Sequence, residues 1–276
     1  MTPAFKRARI KVSRSCVWSV LIAVLLPHGA FAAEPPSVAE VAKQAQQLLV
    51  DATTPDGPGA AILVARGDQV IFRGARGMAQ MELGVPLRAD DVFPIGSDTK
   101  QFAAAAILKL VEQGKLSLTD PLSRFLPKYP NGSHITVHEL LNHTSGIKNY
   151  TAIQGYMRAT VREDLDTRQL IAEFKDQPSD FPPGTGWEYN NSDYVLIGAI
   201  LEKVTGKPWH EAIRELVLAP LALNHTEYGA DQPLIPGRVA GYSTDENDRI
   251  SNADYISMTQ PGAGGGLVSN VDDMFH

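Results

Sequence analysis

Apolar and polar positions along this chain change period from segment to segment. Val38, Val41, Ala42, Ala45, Leu48 and Leu49 recur at helical spacing and predict an amphipathic opening helix. Two short apolar stretches, 60–65 and 70–73, flank Arg66-Gly67-Asp68-Gln69, the pattern of a β-hairpin. The Arg-Gly-Asp triplet has the letters of a cell-adhesion tripeptide, but Gly and Asp are turn formers and a turn accounts for it. The stretch 77–94 shows no period and reads as loop. Thr99 to Glu112 is apolar nearly all round, with Phe102, Ala103, Ala106, Ile107, Leu110 and Val111, which predicts a buried helix stopped by Gly114.

Helices dominate the remainder. Asp120 and Pro121 open a short one. Thr136-Val137-His138-Glu139 spells a capping box for a helix over 137–142. Thr167 to Phe174 is another, and Tyr194 to Val204 is an apolar helix closed by Gly206. Pro208 opens the next, which Pro220 ends. Gly262 to Gly266 is glycine-rich, lacks the spacing and following helix of a phosphate loop, and precedes a strand-like Leu267-Val268. Two strands make no stable sheet alone, so further strands are expected beyond those the pattern reveals.

The first residues stand apart. Lys6, Arg7, Arg9, Lys11 and Arg14 form a basic start without an acid; an apolar run from Cys16 to Leu26 follows, then Ala30-Phe31-Ala32. That order is the layout of a secretory signal peptide, and the run is too short to span a bilayer. The expected organisation is a signal peptide over 1–32, cleaved after Ala32 or Ala33, and one domain over 33–276. The chain is then exported, periplasmic or secreted, with no stable membrane anchor. Cys16 is the only cysteine, so the mature chain has no disulfide, no cysteine nucleophile and no thiolate metal site. Loss of the leader takes Lys+Arg from 25 to 20 against 31 acids, a net charge near −11, which argues against a nucleic-acid partner.

Ser97-Asp98-Thr99-Lys100 is an S-x-x-K tetrad whose ends share a helix face. A serine hydroxyl needs a base to become a nucleophile, and a partly buried lysine loses its proton more readily. Ser97 at a helix start is equally well explained as an N-cap, and Lys100 as a solvated helix residue. A second tetrad, Ser145-Gly146-Ile147-Lys148, lies in a polar loop without a following apolar helix. Tyr189-Asn190-Asn191 offers a phenol for proton shuttling and an amide for a substrate carbonyl, or simply a turn before a helix. Tyr129-Pro130-Asn131 has the same spacing and reads as a turn. His138-Glu139-Leu140-Leu141-Asn142-His143 misses a zinc-protease motif by one position, so neither a metal nor another cofactor is expected.

Pro94 to Ala106 resembles the nucleophile segment of the beta-lactamase-related serine hydrolases, which include class C beta-lactamases, penicillin-binding D-alanyl-D-alanine carboxypeptidases and lactamase-like esterases. Glu112 to Pro121, Leu140 to Ile147, Pro183 to Tyr194 and Gly264 to Ser269 are similar to later segments in the same order. The resemblance implies an α+β fold, an antiparallel sheet with flanking helices beside a helical lobe. It implies Ser97 as acyl-enzyme nucleophile, Lys100 and Tyr189 sharing the proton work, and Asn191 positioning substrate. The Ser97 N–H would form half of an oxyanion hole. The substrate would be a small molecule or peptide with an acyl carbonyl. The family's third motif, K-T-G or H-x-G on a late strand, is not found in this sequence, and C-terminal strands are expected to be missing. The competing reading is a non-catalytic peptide-binding member or an inactive fragment.

Overall fold

The computed structural model describes residues 35–276, so the expected signal peptide over 1–32 lies outside the described residues. Helix α1 (Val38–Ala52) starts at a capping box in which the Ser37 hydroxyl accepts from Glu40 N and the Glu40 carboxylate accepts from Ser37 N. It packs on an antiparallel hairpin of β1 (Ala60–Arg66) and β2 (Gln69–Arg76). The Arg-Gly-Asp triplet forms the turn of this hairpin, with Gly67 at φ +55°. Leu49 is 1% exposed against the hairpin while Leu48 is 64% exposed, so the buried stripe of α1 is narrower than its apolar pattern predicts.

The region read as loop contains three short strands, β3 (Met78–Gln80), β4 (Val85–Pro86) and β5 (Phe93–Pro94). They are too short to show a period. Strand β6 (Glu227–Tyr228) and the hairpin of β7 (Tyr242–Thr244) and β8 (Ile250–Asn252) lie further along, and β9 (Leu267–Ser269) closes a three-stranded antiparallel sheet in the order β5-β9-β6. Its register sets Pro94 opposite Val268. Ile95 N donates to Leu267 O at 3.1 Å, and Leu267 N donates to Thr99 Oγ1 at 3.1 Å. The chain just before Ser97 is therefore laced to a strand more than 160 residues away.

The helical part contains α2 (Thr99–Glu112), α3 (Val137–Leu141), α4 (Tyr156–Ala159), α5 (Thr167–Phe174), α6 (Asn191–Thr205) and α7 (Trp209–Ile213). A π-helical turn, Arg214–Leu218, extends α7, and α8 (Val271–Phe275) follows β9. Helix α6 is the axis: Val195, Leu196, Ile197, Ile200 and Leu201 are buried, and α2, α3, α5 and α7 pack around it. A helix apolar on every face is stable only when surrounded. It begins three residues earlier than its apolar pattern predicts, because the Asn190 side chain accepts from Ser192 N at 2.8 Å and caps a polar first turn. Gly206 ends it at φ +72°, as its position predicts. The outcome is the expected α+β class, small antiparallel sheets beside a helical lobe.

Truncating the axis tests this packing. Leu196→Ala is expected to lower unfolding free energy by about 2–5 kcal/mol, against about 0.5 kcal/mol or less for the exposed Leu48→Ala, measured by denaturant titration.

Candidate active site

Ser97 lies in a 3-10 turn, Gly96–Asp98, that runs directly into α2. Gly96 holds φ +51°, a left-handed conformation that suits a residue without Cβ. The N-cap position of α2 falls to Asp98, whose side chain makes no capping bond, so the Ser97 hydroxyl is not the helix cap. Instead it meets two side chains: Tyr189 Oη donates to Ser97 Oγ at 2.6 Å and Lys100 Nζ approaches it at 3.4 Å.

Lys100, one turn further on, is only 7% exposed. Its Nζ donates to Asn191 Oδ1 at 2.9 Å and to the Gly264 carbonyl at 2.7 Å. Both partners can only accept, so they claim two N–H groups of either protonation state. The third tetrahedral position faces Ser97 Oγ, with a hydrogen on the ammonium or a lone pair on the amine. Burial pushes the Lys100 amine below its usual range; the hydrogen bond and charge of Tyr189 and the charge of Asp193 pull it partly back. A lysine so placed can exchange a proton with the serine.

Tyr189 sits in the extended segment leading into α6 and is 40% exposed, its ring 4.9 Å from Lys100 Nζ. Asn191 is in the first turn of α6, its carbonyl on Lys100 and its amide on Thr151 Oγ1 at 3.2 Å. The structure thus brings together all four residues expected from the sequence, Ser97, Lys100, Tyr189 and Asn191. A cavity of about 610 Å³ opens beside them, lined by Ser97, Asn191 and Gly264 and by apolar Met157, Val161, Ile256 and Met258.

The other matches fall elsewhere. Ser145 is buried and donates to Asp193 Oδ1 at 2.5 Å, while Lys148 pairs with Asp180 at 2.8 Å near the surface; this second tetrad has no serine–lysine contact. Tyr129 and Asn131 form a turn, with Asn131 at φ +54° and Gly132 N bonded to Tyr129 O. His138 contacts Asn142, whereas His143 turns toward Asp193 and the tyrosines, so the two rings share no centre.

Two parts of the site were not assigned from sequence. One is the glycine stretch 262–266. A Cβ on Gly264 would lie 3.3 Å from Lys100 Nζ and 3.2 Å from Tyr194 Cβ, so glycine permits the close approach of its carbonyl to the lysine. The excess of glycine was the available signal; its partner was not. The other is Asp193, fully buried in the first turn of α6. Burial raises its carboxyl to about 6, against the lowering effects of the nearby His143, the hydrogen bond from Ser145 and the charge of Lys100. In sequence it looks like an ordinary acid complementing a helix N-terminus.

A family model described as Beta-lactamase matches residues 42–276. Among curated proteins, the chain is similar to the esterase EstB of Burkholderia gladioli, 35% identical over 190 residues, covering 63% of this chain and 48% of that protein. It is similar to the putative penicillin-binding protein PbpX of Bacillus subtilis, 30% identical over 218 residues, covering 79% and 53%. Among solved structures, a D-stereospecific amidohydrolase from Streptomyces sp. matches with a TM-score of 0.71 and 29% identity, over 87% of this chain and 71% of that one. The chain spans about half the length of the curated relatives it matches.

The Asp193 carboxyl yields a signed expectation. Its folded value, about 6, lies above the unfolded value near 3.9, so the native state holds the extra proton between them. Stability from this group is present below the unfolded value and lost as pH rises through the folded one. Asp193→Asn removes that loss. Its unfolding free energy is expected to gain on the parent by up to about 3 kcal/mol between about pH 4 and pH 7, read from denaturant midpoints across pH.

Proposed function

Because the chain belongs to the beta-lactamase family, we propose that it is a serine hydrolase that carries an acyl group on Ser97 Oγ before releasing it to water. One observation carries this: Lys100 Nζ is buried, held by two pure acceptors, and left with one position facing Ser97 Oγ. In the amine form that position is a lone pair. The Ser97 proton passes to Lys100 as the Oγ–carbon bond forms. The negative charge that develops on the carbonyl oxygen is met by the Ser97 N–H and the N-terminus of α2. As the bond to the leaving group breaks, Tyr189 Oη protonates that group and takes a proton back from the Lys100 ammonium. Water then repeats the sequence in reverse. Asn191 fixes the lysine and presents its amide at the cavity, where it positions the substrate.

The substrate in this proposal is an ester or amide, a beta-lactam or D-alanyl peptide included, with an apolar acyl or side-chain group. The apolar cavity wall supports that choice. The relative EstB is named an esterase and the Streptomyces structure an amidohydrolase, which supports both bond types. Export is part of the proposal, supported by the basic, apolar, small-residue order of residues 6–32.

Steady-state hydrolysis of p-nitrophenyl acyl esters by the full chain tests the mechanism. Ser97→Ala is expected to abolish turnover above background, and Lys100→Met to lower kcat by about 100- to 10,000-fold. A Ser97→Ala protein that turns over like the parent overturns the proposal, and a parent with no turnover on esters, anilides or a chromogenic beta-lactam returns the non-catalytic binding protein.

A further inference from the structure

The glycine stretch that hands a carbonyl to Lys100 has little of its own to hold it. Between Pro261 and Leu267 the sole side chain is the methyl group of Ala263. Glycine gives up more conformational freedom on being fixed than any other residue, so such a stretch must be anchored from outside. Its internal bonds, Gly264 N to Pro261 O at 2.9 Å and Gly266 N to Gly262 O at 2.8 Å, shape a turn without tying it to the rest of the molecule. The C-terminal anchor is plain: Gly229 N donates to Gly266 O at 2.9 Å, and β9 begins at the next residue. The N-terminal anchor is Gln260.

Gln260 is buried, and each of its polar groups meets a complementary partner. Its Nε2 donates one hydrogen to Thr160 O at 3.1 Å and the other to Glu163 O at 2.6 Å, in and just after the 3-10 turn Thr160–Arg162. Its Oε1 accepts from Tyr156 Oη of α4 at 2.6 Å. Its main-chain carbonyl accepts from Tyr150 Oη at 2.7 Å, and its N–H donates to Ser257 O at 3.0 Å. An amide offers two N–H groups and one carbonyl, and all are spent here, so Gln260 borders the cavity without a group to offer a substrate. The two buried tyrosines brace each other edge to face, with ring centroids 5.1 Å apart. Tyr150 is also followed by Thr151, whose hydroxyl receives the Asn191 amide at 3.2 Å. Both pure acceptors of Lys100, Asn191 Oδ1 and Gly264 O, are therefore steadied from one short turn, Tyr150–Ala152.

We propose that Gln260, clamped by Tyr150 and Tyr156, is a positioning residue that fixes the glycine stretch so that the Gly264 carbonyl meets Lys100 Nζ. It acts through Gly264 and Lys100 and touches no reacting atom. The inference rests on the acyl-transfer reading of the site. The Gly264 carbonyl holds the ammonium more strongly than the amine and keeps the nitrogen aimed at Ser97, so releasing it changes both the proton affinity and the aim of the lysine. The other groups facing Lys100 are Ser97 and Asn191, Tyr189 from the segment before α6, and Asp193 and Tyr194 from α6. Among the described residues none of these side chains shares a hydrogen bond with Gln260 or Tyr156, so variants at those two positions reach the lysine through the glycine stretch.

Ester turnover by the full chain against pH tests this, with hydrogen exchange of the peptide spanning 261–267 as a second readout. Gln260→Met keeps the side-chain volume and removes its hydrogen bonds. It is expected to lower kcat by about 10- to 100-fold with KM changed by about 3-fold or less, and to speed exchange across 261–267. The acid limb of kcat/KM is expected to move by about half a pH unit or more, downward where the carbonyl is simply lost to the lysine and upward where water enters in its place. Tyr156→Phe removes one hydroxyl and is expected to give the same pattern with kcat lowered by about 3- to 10-fold; it carries the test should Gln260→Met fail to fold. Leu49→Ala, a buried position on α1, controls for lost stability and is expected to leave the limb in place. A limb that stays at the parent position in the folded clamp variant, parent-like kcat there, or an equal movement in Leu49→Ala overturns the clamp. Turnover that survives in Ser97→Ala overturns the acyl-transfer reading instead, and exchange across 261–267 still decides whether Gln260 holds the stretch.

Discussion

The burial of the Lys100 amine constrains this site more than any other interaction. A cation removed from water is strongly destabilising unless acceptors surround it, and here the acceptors come from Ser97, Asn191 and Gly264, segments distant in sequence. Each must arrive at a fixed place. Asn191 does so because Asn190 caps α6 one residue earlier. Gly264 does so because it lacks the β-carbon that would press on the lysine. Ser97 does so because β9 pins the chain just before it.

The same burial underlies the proposed chemistry. Two acceptors hold the amine in place and the low-dielectric surroundings bias it toward losing its proton, so it faces the serine as a potential base. The surrounding helices give that arrangement its rigidity. Helices α2 and α6 bury most of their faces, and the residues that reach the site project from their first turns or the segments just before them. Some of the packing free energy offsets local strain. His143 holds a left-handed backbone, a conformation that costs about 1–2 kcal/mol for a residue with a β-carbon, next to Tyr189.

Much of this was legible in the sequence wherever one physical signal dominated. The spans of α2 and α5 follow from apolar pattern and capping, and the capping box of α3 from Thr136 and Glu139. The two S-x-x-K tetrads differ in the segment after each serine, a buried helix for Ser97 and a polar loop for Ser145. Other features depend on partners that no local pattern names. Strands β3 to β6 are two or three residues long, set by pairing rather than period. The polar first turn of α6 hides the helix start, because Ser192 Oγ and Asp193 Oδ1 bond to Ser145, Lys148 and Tyr150 instead of water. The carbonyl of Gly264 has no side chain to announce it, and Asp193 acquires its character only from complete burial.

The central claim is that Ser97, and no other hydroxyl, carries the acyl group. The most direct measurement is mass-spectrometric mapping of the full chain after brief incubation with a slowly released acyl donor, quenched in acid and digested. One acyl group on the peptide containing Ser97, absent from Ser97→Ala, is the result the account predicts. An adduct on the peptide containing Ser145, or equal labelling of Ser97→Ala, contradicts it.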